Sequence, residues 1–386
     1  MPKSKQQRGF TLLELLVASS IGLVVILTMT SLFKVGMDAT FVVSQRAETQ
    51  QNVRAAIELM SKDISLAGAG LPSGGLQLVS GGAVSNYACN QTGTCYVTGG
   101  TYPNSGSGTA NYMYGIIPSF NRGVQNGTVI TAAPALTNSA ITSIYCDYNF
   151  PLSNFTFSFP SSTQSNVAVI NGAIQPNNIL APGGLNVGDL LLFTVSTPGN
   201  GTGVNGTSLV QNAAVVAEIT GLPNNTTIMF SAGDALNMNQ SGGSISNNIA
   251  TVAAAAGGAG AQTSVCRLNA VTYFLQVPAA GATVQTPRLM RQVNGLDAVP
   301  VADNIINLQF TYDVIDSTNG TIVANQQDPI GAGESPDLIQ KVNIWIVGQS
   351  LLSNGKKSQS MYLATSVATR DMSFCNAYSP NATTCQ

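Results

Sequence analysis

Hydrophobic positions along this chain fall into three regimes. From Phe10 to Phe33 the run FTLLELLVASSIGLVVILTMTSLF is apolar on all sides, with Glu14 as its sole charge. As an α-helix these residues would rise roughly 36 Å, enough to cross a bilayer core with some tilt. Further on the pattern becomes one-sided: Val53, Ile57, Met60 and Ile64 recur at helical steps, while Arg54, Glu58 and Lys62 fall between them at i, i+4. The helix is therefore predicted to continue to about Ala67, where Gly68, Gly70, Pro72, Gly74 and Gly75 end it.

The third regime is one of short β-branched and aromatic runs separated by turn-rich segments. Examples are residues 141–148, 155–159, 189–196, 214–220 and 226–230. Alternation is clearest in the final third. Ile306, Leu308, Phe310, Tyr312 and Val314 are expected on one face, with Asn307, Gln309, Thr311 and Asp313 on the other. Val271, Tyr273, Leu275 and Val277 repeat the device, as do Val342, Ile344 and Ile346 opposite Lys341, Asn343 and Trp345. The expected fold is α+β. It has a membrane helix over 10–33, an amphipathic continuation over 34–67, and a head over 68–386 built on an antiparallel sheet that the helix covers. Order is not expected over Gly99–Ala110 and Ala250–Ala261.

Charge changes the picture at the N-terminus. Lys3, Lys5 and Arg8 precede the apolar run with no acid among them, so the leader should stay in the cytoplasm and the rest be exported. A secretory signal is cut after its apolar region. Here Arg8-Gly9/Phe10-Thr11 places the expected junction before it, so the apolar helix is retained and residues 1–9 are removed. Glu14 then needs a reason, because a carboxylate in hydrocarbon costs on the order of 3 kcal/mol.

Gly9, Phe10 and Glu14 within RGFTLLELLVA resemble the class III leader of type IV pilins and type II secretion pseudopilins. That resemblance implies a prepilin peptidase that cuts after Gly9 and methylates the new N-terminus at Phe10. It also implies that Glu14 pairs with the free amine of a neighbouring subunit. A buried carboxylate and a buried ammonium, each expensive alone, become tolerable when matched. Many major pilins carry a proline in the second half of this segment; this chain has Ser31 there, so a different or absent kink is expected. Gln51–Gly68, with Arg54, Asp63 and Ala67-Gly68, is similar to the end of the long helix in PilW-type minor pilins. The order of the C-terminal strand runs resembles both those proteins and J-type pseudopilins. Arg370 matches near the last strand, but Asp371 stands where asparagine is commoner, and no role is carried onto it.

Between Ile64 and Cys266 the only basic residue is Arg122, and the only acids are Asp147, Asp189, Glu218 and Asp234. Six cysteines, Cys89, Cys95, Cys146, Cys266, Cys375 and Cys385, all follow the helix and suit an oxidising compartment. They allow 15 pairings. Local spacing favours Cys89 with Cys95 and Cys375 with Cys385, leaving Cys146 and Cys266 as the long-range pair.

With no histidine and no CxxC, zinc sites and Ser-His-Asp or Cys-His catalysis have no basis, and an enzymatic role is not expected. No cofactor is required. Calcium could find oxygens among Asp297, Asp303, Asp313, Asp316, Asp328, Glu334 and Asp337, with 328–337 as the place, although the spacing is not that of an EF-hand and a solvated acidic loop is the default. Asn-x-Ser/Thr matches at Asn90, Asn205 and Asn225 are what chance gives in so Asn- and Thr-rich a chain.

The chain carries 15 basic and 17 acidic residues; loss of Lys3, Lys5 and Arg8 leaves 12 against 17, a net charge of −5. Arg267, Arg288 and Arg291 lack interleaved aromatics and are expected as surface arginines, so nucleic acid is not an expected partner. The resemblance implies a minor pilin that primes filament assembly in the inner membrane and ends at or near the fibre tip and cell surface. Its partners would be the prepilin peptidase, other minor pilins and the major pilin. The alternatives are a J-type pseudopilin and a tip adhesin acting through the polar region 72–264.

Overall fold

A computed structural model of the chain describes residues 9–71, 75–77, 112–120, 124–125, 128–129, 138–147, 156–158, 167–171, 184–199, 208–224, 226–234, 236, 238–239, 262–276, 287–316, 319–329, 334–350, 359–369 and 372. The apolar run and the amphipathic stripe form one uninterrupted helix, α1 (Leu12–Ser65), of 54 residues. Its length is roughly 80 Å. Thr11, not Phe10, is the N-cap, and the helix stops at Ser65, two residues short of the expected end. Hydroxyls within the apolar half are satisfied internally: Ser19 Oγ donates to the Leu16 carbonyl at 3.0 Å, Thr28 Oγ1 to Val25 at 2.8 Å and Thr30 Oγ1 to Ile26 at 2.8 Å. Such back-bonding lets polar side chains sit in hydrocarbon without an unmet donor. None of the apolar stretch is buried against the rest of the chain.

Nineteen strands follow among the described residues. The first eight are β1 (Leu76–Gln77), β2 (Tyr112–Met113), β3 (Ile116–Ser119), β4 (Val124–Gln125), β5 (Thr128–Val129), β6 (Ala140–Cys146), β7 (Thr156–Ser158) and β8 (Val167–Asn171). Next come β9 (Leu190–Gly199), β10 (Ser208–Glu218), β11 (Gly221–Asn224), β12 (Thr227–Met229) and β13 (Gln262–Gln276). The last are β14 (Arg288–Val293), β15 (Val299–Asp303), β16 (Ile305–Ile315), β17 (Ile322–Gln326), β18 (Ile339–Gln349) and β19 (Ser360–Ala368). The fold is α+β, but the head holds several sheets rather than one. β3, β4, β5, β6, β9, β10, β13, β14 and β15 form a nine-stranded sheet, and β17-β16-β18-β19 a four-stranded one. β11-β12-β8-β7 makes a second four-stranded sheet, and β1-β2 a small pair.

β13 organises the large sheet. Its Gln262–Leu268 half pairs with β9 and its Val271–Gln276 half with β14, while Leu268–Tyr273 pair with β6. Leu268 and Val271–Tyr273 each have two partners, so β9 and β14 share one edge and β6 takes the other. The expected alternation therefore fails here. Thr272 and Phe274 are as buried as Val271, Tyr273 and Leu275, because both faces of the strand are covered; Val277 lies outside the described residues. Through β6 and β9 the polar region before Cys266 is part of this core rather than an appendage. Cys146 of β6 and Cys266 of β13 are disulfide-bonded. Cys89, Cys95, Cys375, Cys385, Arg370 and Asp371 lie outside the described residues, as do 99–110 and 250–261.

In β16 the inward face begins at Ile305 and not Ile306, because the register with β18 shifts between Ile305 and Asn307. A second shift, between Asp313 and Val314, leaves Asp313 buried on the face expected to be open. α1 lays Val53, Ala56, Ile57, Met60 and Ile64 on β15, β18 and β19, while Arg54, Glu58 and Lys62 point to solvent. The close approach depends on Gly348 of β18. A Cβ there would lie 2.5 Å from Val53 Cγ2 and 2.9 Å from Thr49 Cγ2.

Candidate functional site

The N-terminus is built around Thr11. Its side chain accepts the Glu14 N–H at 3.3 Å, and Glu14 Oε2 in turn accepts the Thr11 N–H and hydroxyl, each at 3.0 Å. This reciprocal capping box meets donors that the first turn of a helix otherwise leaves open. It was not foreseen, although Thr-x-x-Glu before an apolar run is its sequence signature. The box aims the Glu14 carboxylate at the helix start, one residue from Phe10. Phe10 itself is 89% exposed. At Gly9 an added Cβ would meet nothing within 4 Å, so the fold does not require glycine there. Any requirement for it comes from outside the chain.

The other end of α1 carries a buried charge cluster that joins stem to head. Asp63 follows Met60 by three residues and so points to the packed face. Its Oδ1 accepts the Tyr145 hydroxyl of β6 at 2.8 Å. Its Oδ2 accepts the Tyr273 hydroxyl of β13 at 2.5 Å and Nε–H of Arg291 in β14 at 2.9 Å. Tyr273 and Arg291 are cross-strand partners, and Arg291 Nε also reaches the Tyr273 oxygen at 3.1 Å. Burial, reinforced by the Asp63 charge, pushes both tyrosine hydroxyls above their ordinary range, which keeps them protonated as donors. Burial works against the Arg291 charge, but the Asp63 hydrogen bond and charge outweigh it and raise its pKa.

Just beyond, the chain leaves the helix along β6. Gly68 N–H donates to the Ile144 carbonyl at 2.9 Å, and Cys146 N–H donates to the Ala69 carbonyl at 2.8 Å. Gly68 has φ +87°, and a Cβ on neighbouring Gly115 would lie 2.6 Å from the Gly68 Cα. Backbone crosses backbone at this point, so both positions need glycine.

The three arginines expected at the surface are all ion-paired. Arg267 meets Asp147, Arg288 meets Asp303 at 2.9 Å, and Arg291 meets Asp63. Asp313 pairs with Lys341 at 2.8 Å. Among the described residues no three of His, Cys, Asp and Glu gather as a metal-binding group; residues 330–333 of the candidate calcium loop lie outside them.

Residues 4–30 match the family described as the prokaryotic N-terminal methylation motif. No curated protein and no solved structure matches the chain. The motif supports a type IV pilin or pseudopilin, with processing by prepilin peptidase and assembly with other pilins. Together with the exposed apolar helix it supports membrane anchoring with the head exported. It spans the leader and the first part of α1 and leaves the head unassigned.

Proposed function

We propose that this chain is a minor subunit of a type IV pilus. It is cut between Gly9 and Phe10, methylated at Phe10, primes filament assembly in the inner membrane, and stays at or near the tip. It works by assembly rather than catalysis. The observation that carries this reading is Glu14. It is the only charge in the apolar half of α1, none of which is buried against the rest of the chain, and a helix cap needs no carboxylate at that depth, which supports a use in a neighbouring subunit. In the isolated chain its carboxylate is held by Thr11; in a filament a neighbour's Phe10 ammonium would take that place. A head of about 320 residues is bulky to repeat along a thin fibre and suits a cap.

Glu14→Ala should still be cleaved and inserted yet fail to enter filaments, read by immunoblots of membrane and sheared fractions. Normal incorporation of the variant would sink the charge-pairing role. Mass spectrometry of sheared filaments should find trace, reproducible peptides that begin with N-methylated Phe10. Processed protein confined to membranes would instead point to the J-type pseudopilin of a secretion system.

A further inference from the structure

The outer face of the β17-β16-β18-β19 sheet, which α1 does not cover, carries the chain's single tryptophan. Trp345 of β18 stacks on Tyr362 of β19, with ring centroids 6.2 Å apart and planes 18° from parallel. Tyr362 is 63% exposed. The outward residues that follow it along β19, Ala364, Ser366 and Ala368, are too small to cover the indole and lie opposite Trp345, Asn343 and Lys341. The result is an aromatic step at one end of a row of small, exposed positions about 13 Å long, two strand repeats from Trp345 to Lys341.

Polar groups beside it are fixed in place. Asn343 Nδ2 donates to Asp313 Oδ1 at 2.9 Å and to Asn325 Oδ1 at 3.2 Å, and Thr311 Oγ1 donates to Asn325 Oδ1 at 3.3 Å. Asn325 N–H donates to Asp313 Oδ1 at 3.0 Å, from a residue held at φ +59°. Lys341 caps Asp313 Oδ2 at 2.8 Å. The two charges of this row cancel, so a strongly charged ligand finds no complement. What remains is a row of oriented donors and acceptors: the Asn343 carbonyl oxygen and the remaining Lys341 N–H groups beside the carboxylate.

We propose that this face binds a neutral pyranose sugar. A flat ring with C–H groups on one side stacks on the electron-rich face of an aromatic, while its hydroxyls, each donor and acceptor, match the amide and the ammonium together; Asp313 holds both of these in place. This goes beyond the assembly role and does not depend on it.

The test uses the full chain in detergent micelles and methyl β-galactoside, whose C3–C5 hydrogens form one apolar patch. With a single tryptophan, emission reports on this face alone. A saturable emission change at millimolar sugar is expected, with saturation-transfer NMR signal on those three protons. Tyr362→Ala and Asn343→Ala should each weaken binding about tenfold, while Tyr362→Phe retains it; circular dichroism checks that each variant is folded. The proposal is overturned by absence of both signals. It is equally overturned by binding that both alanine variants leave unchanged, or by a response to heparin alone that salt abolishes.

Discussion

An aspartate on the packed stripe of a helix is stable only if its charge is met, and Asp63 is met three times, by Tyr145, Tyr273 and Arg291. Asp63→Ala leaves two hydroxyls and a half-buried guanidinium without their acceptor. The expected cost is about 3–5 kcal/mol, read by urea unfolding of the chain in micelles. Arg291→Leu on the same background should recover part of it, since the orphaned cation is then gone. Additive losses would mean the two do not interact. The tyrosines give an alkaline signature. Their pKa values in the fold lie above the ordinary 10, so the folded state holds its protons longer. That stability is complete below pH 10 and is lost as pH rises through the folded values. Unfolding midpoints should fall above pH 10, and less steeply in Tyr273→Phe. Asp313 acts at the other end. Although burial opposes its charge, hydrogen bonds from Lys341, Asn325 and Asn343 lower its pKa, so its contribution is present above the ordinary carboxylate range and fades as pH falls through it.

The seat of α1 on β18 rests on the missing side chain of Gly348. Gly348→Ala places a methyl against Val53, a β-branched residue with little rotamer freedom in a helix, and should destabilise by about 1–3 kcal/mol. Val53→Ala should relieve the clash in the double variant, so the two losses will not add; strict additivity would show that the helix simply shifts outward. Much of this architecture was legible locally. The apolar run, the stripe from Val53 to Ile64 and the alternation in β16 and β18 are periodic signals that survive folding nearly intact. The arrangement around β13 was not: Val271, Tyr273 and Leu275 read as one buried face, and nothing local showed that Thr272 and Phe274 on the other face are covered as well. Nor was the Asp63 cluster, whose members are 82, 210 and 228 residues away from it in sequence. An acid at helical spacing inside an apolar stripe was the available clue to Asp63, and nothing local named its partners. The register shifts that turned Ile305 inward are likewise set by the neighbouring strand.

Across the whole molecule, stem and head meet in a short sequence of strong links. α1 ends at Ser65, its exit bonds to β6 at Ile144 and Cys146, and Cys146 is bonded through sulfur to Cys266 in the longest strand. Anchored at one end and tugged from the other, the molecule is a spring with a stop. The disulfide closes a loop whose ends are 120 residues apart, and that loop cannot pay out while the bond holds. Fully extended it would add roughly 400 Å. Single-molecule pulling between the helix and the C-terminus should show that extra length only after reduction, and equal lengths before and after would mean that this segment stays folded under load. With the bond intact, load entering at the helix exit passes from β6 to β13 across the sulfur bridge, and the residues between the two cysteines add nothing to the length.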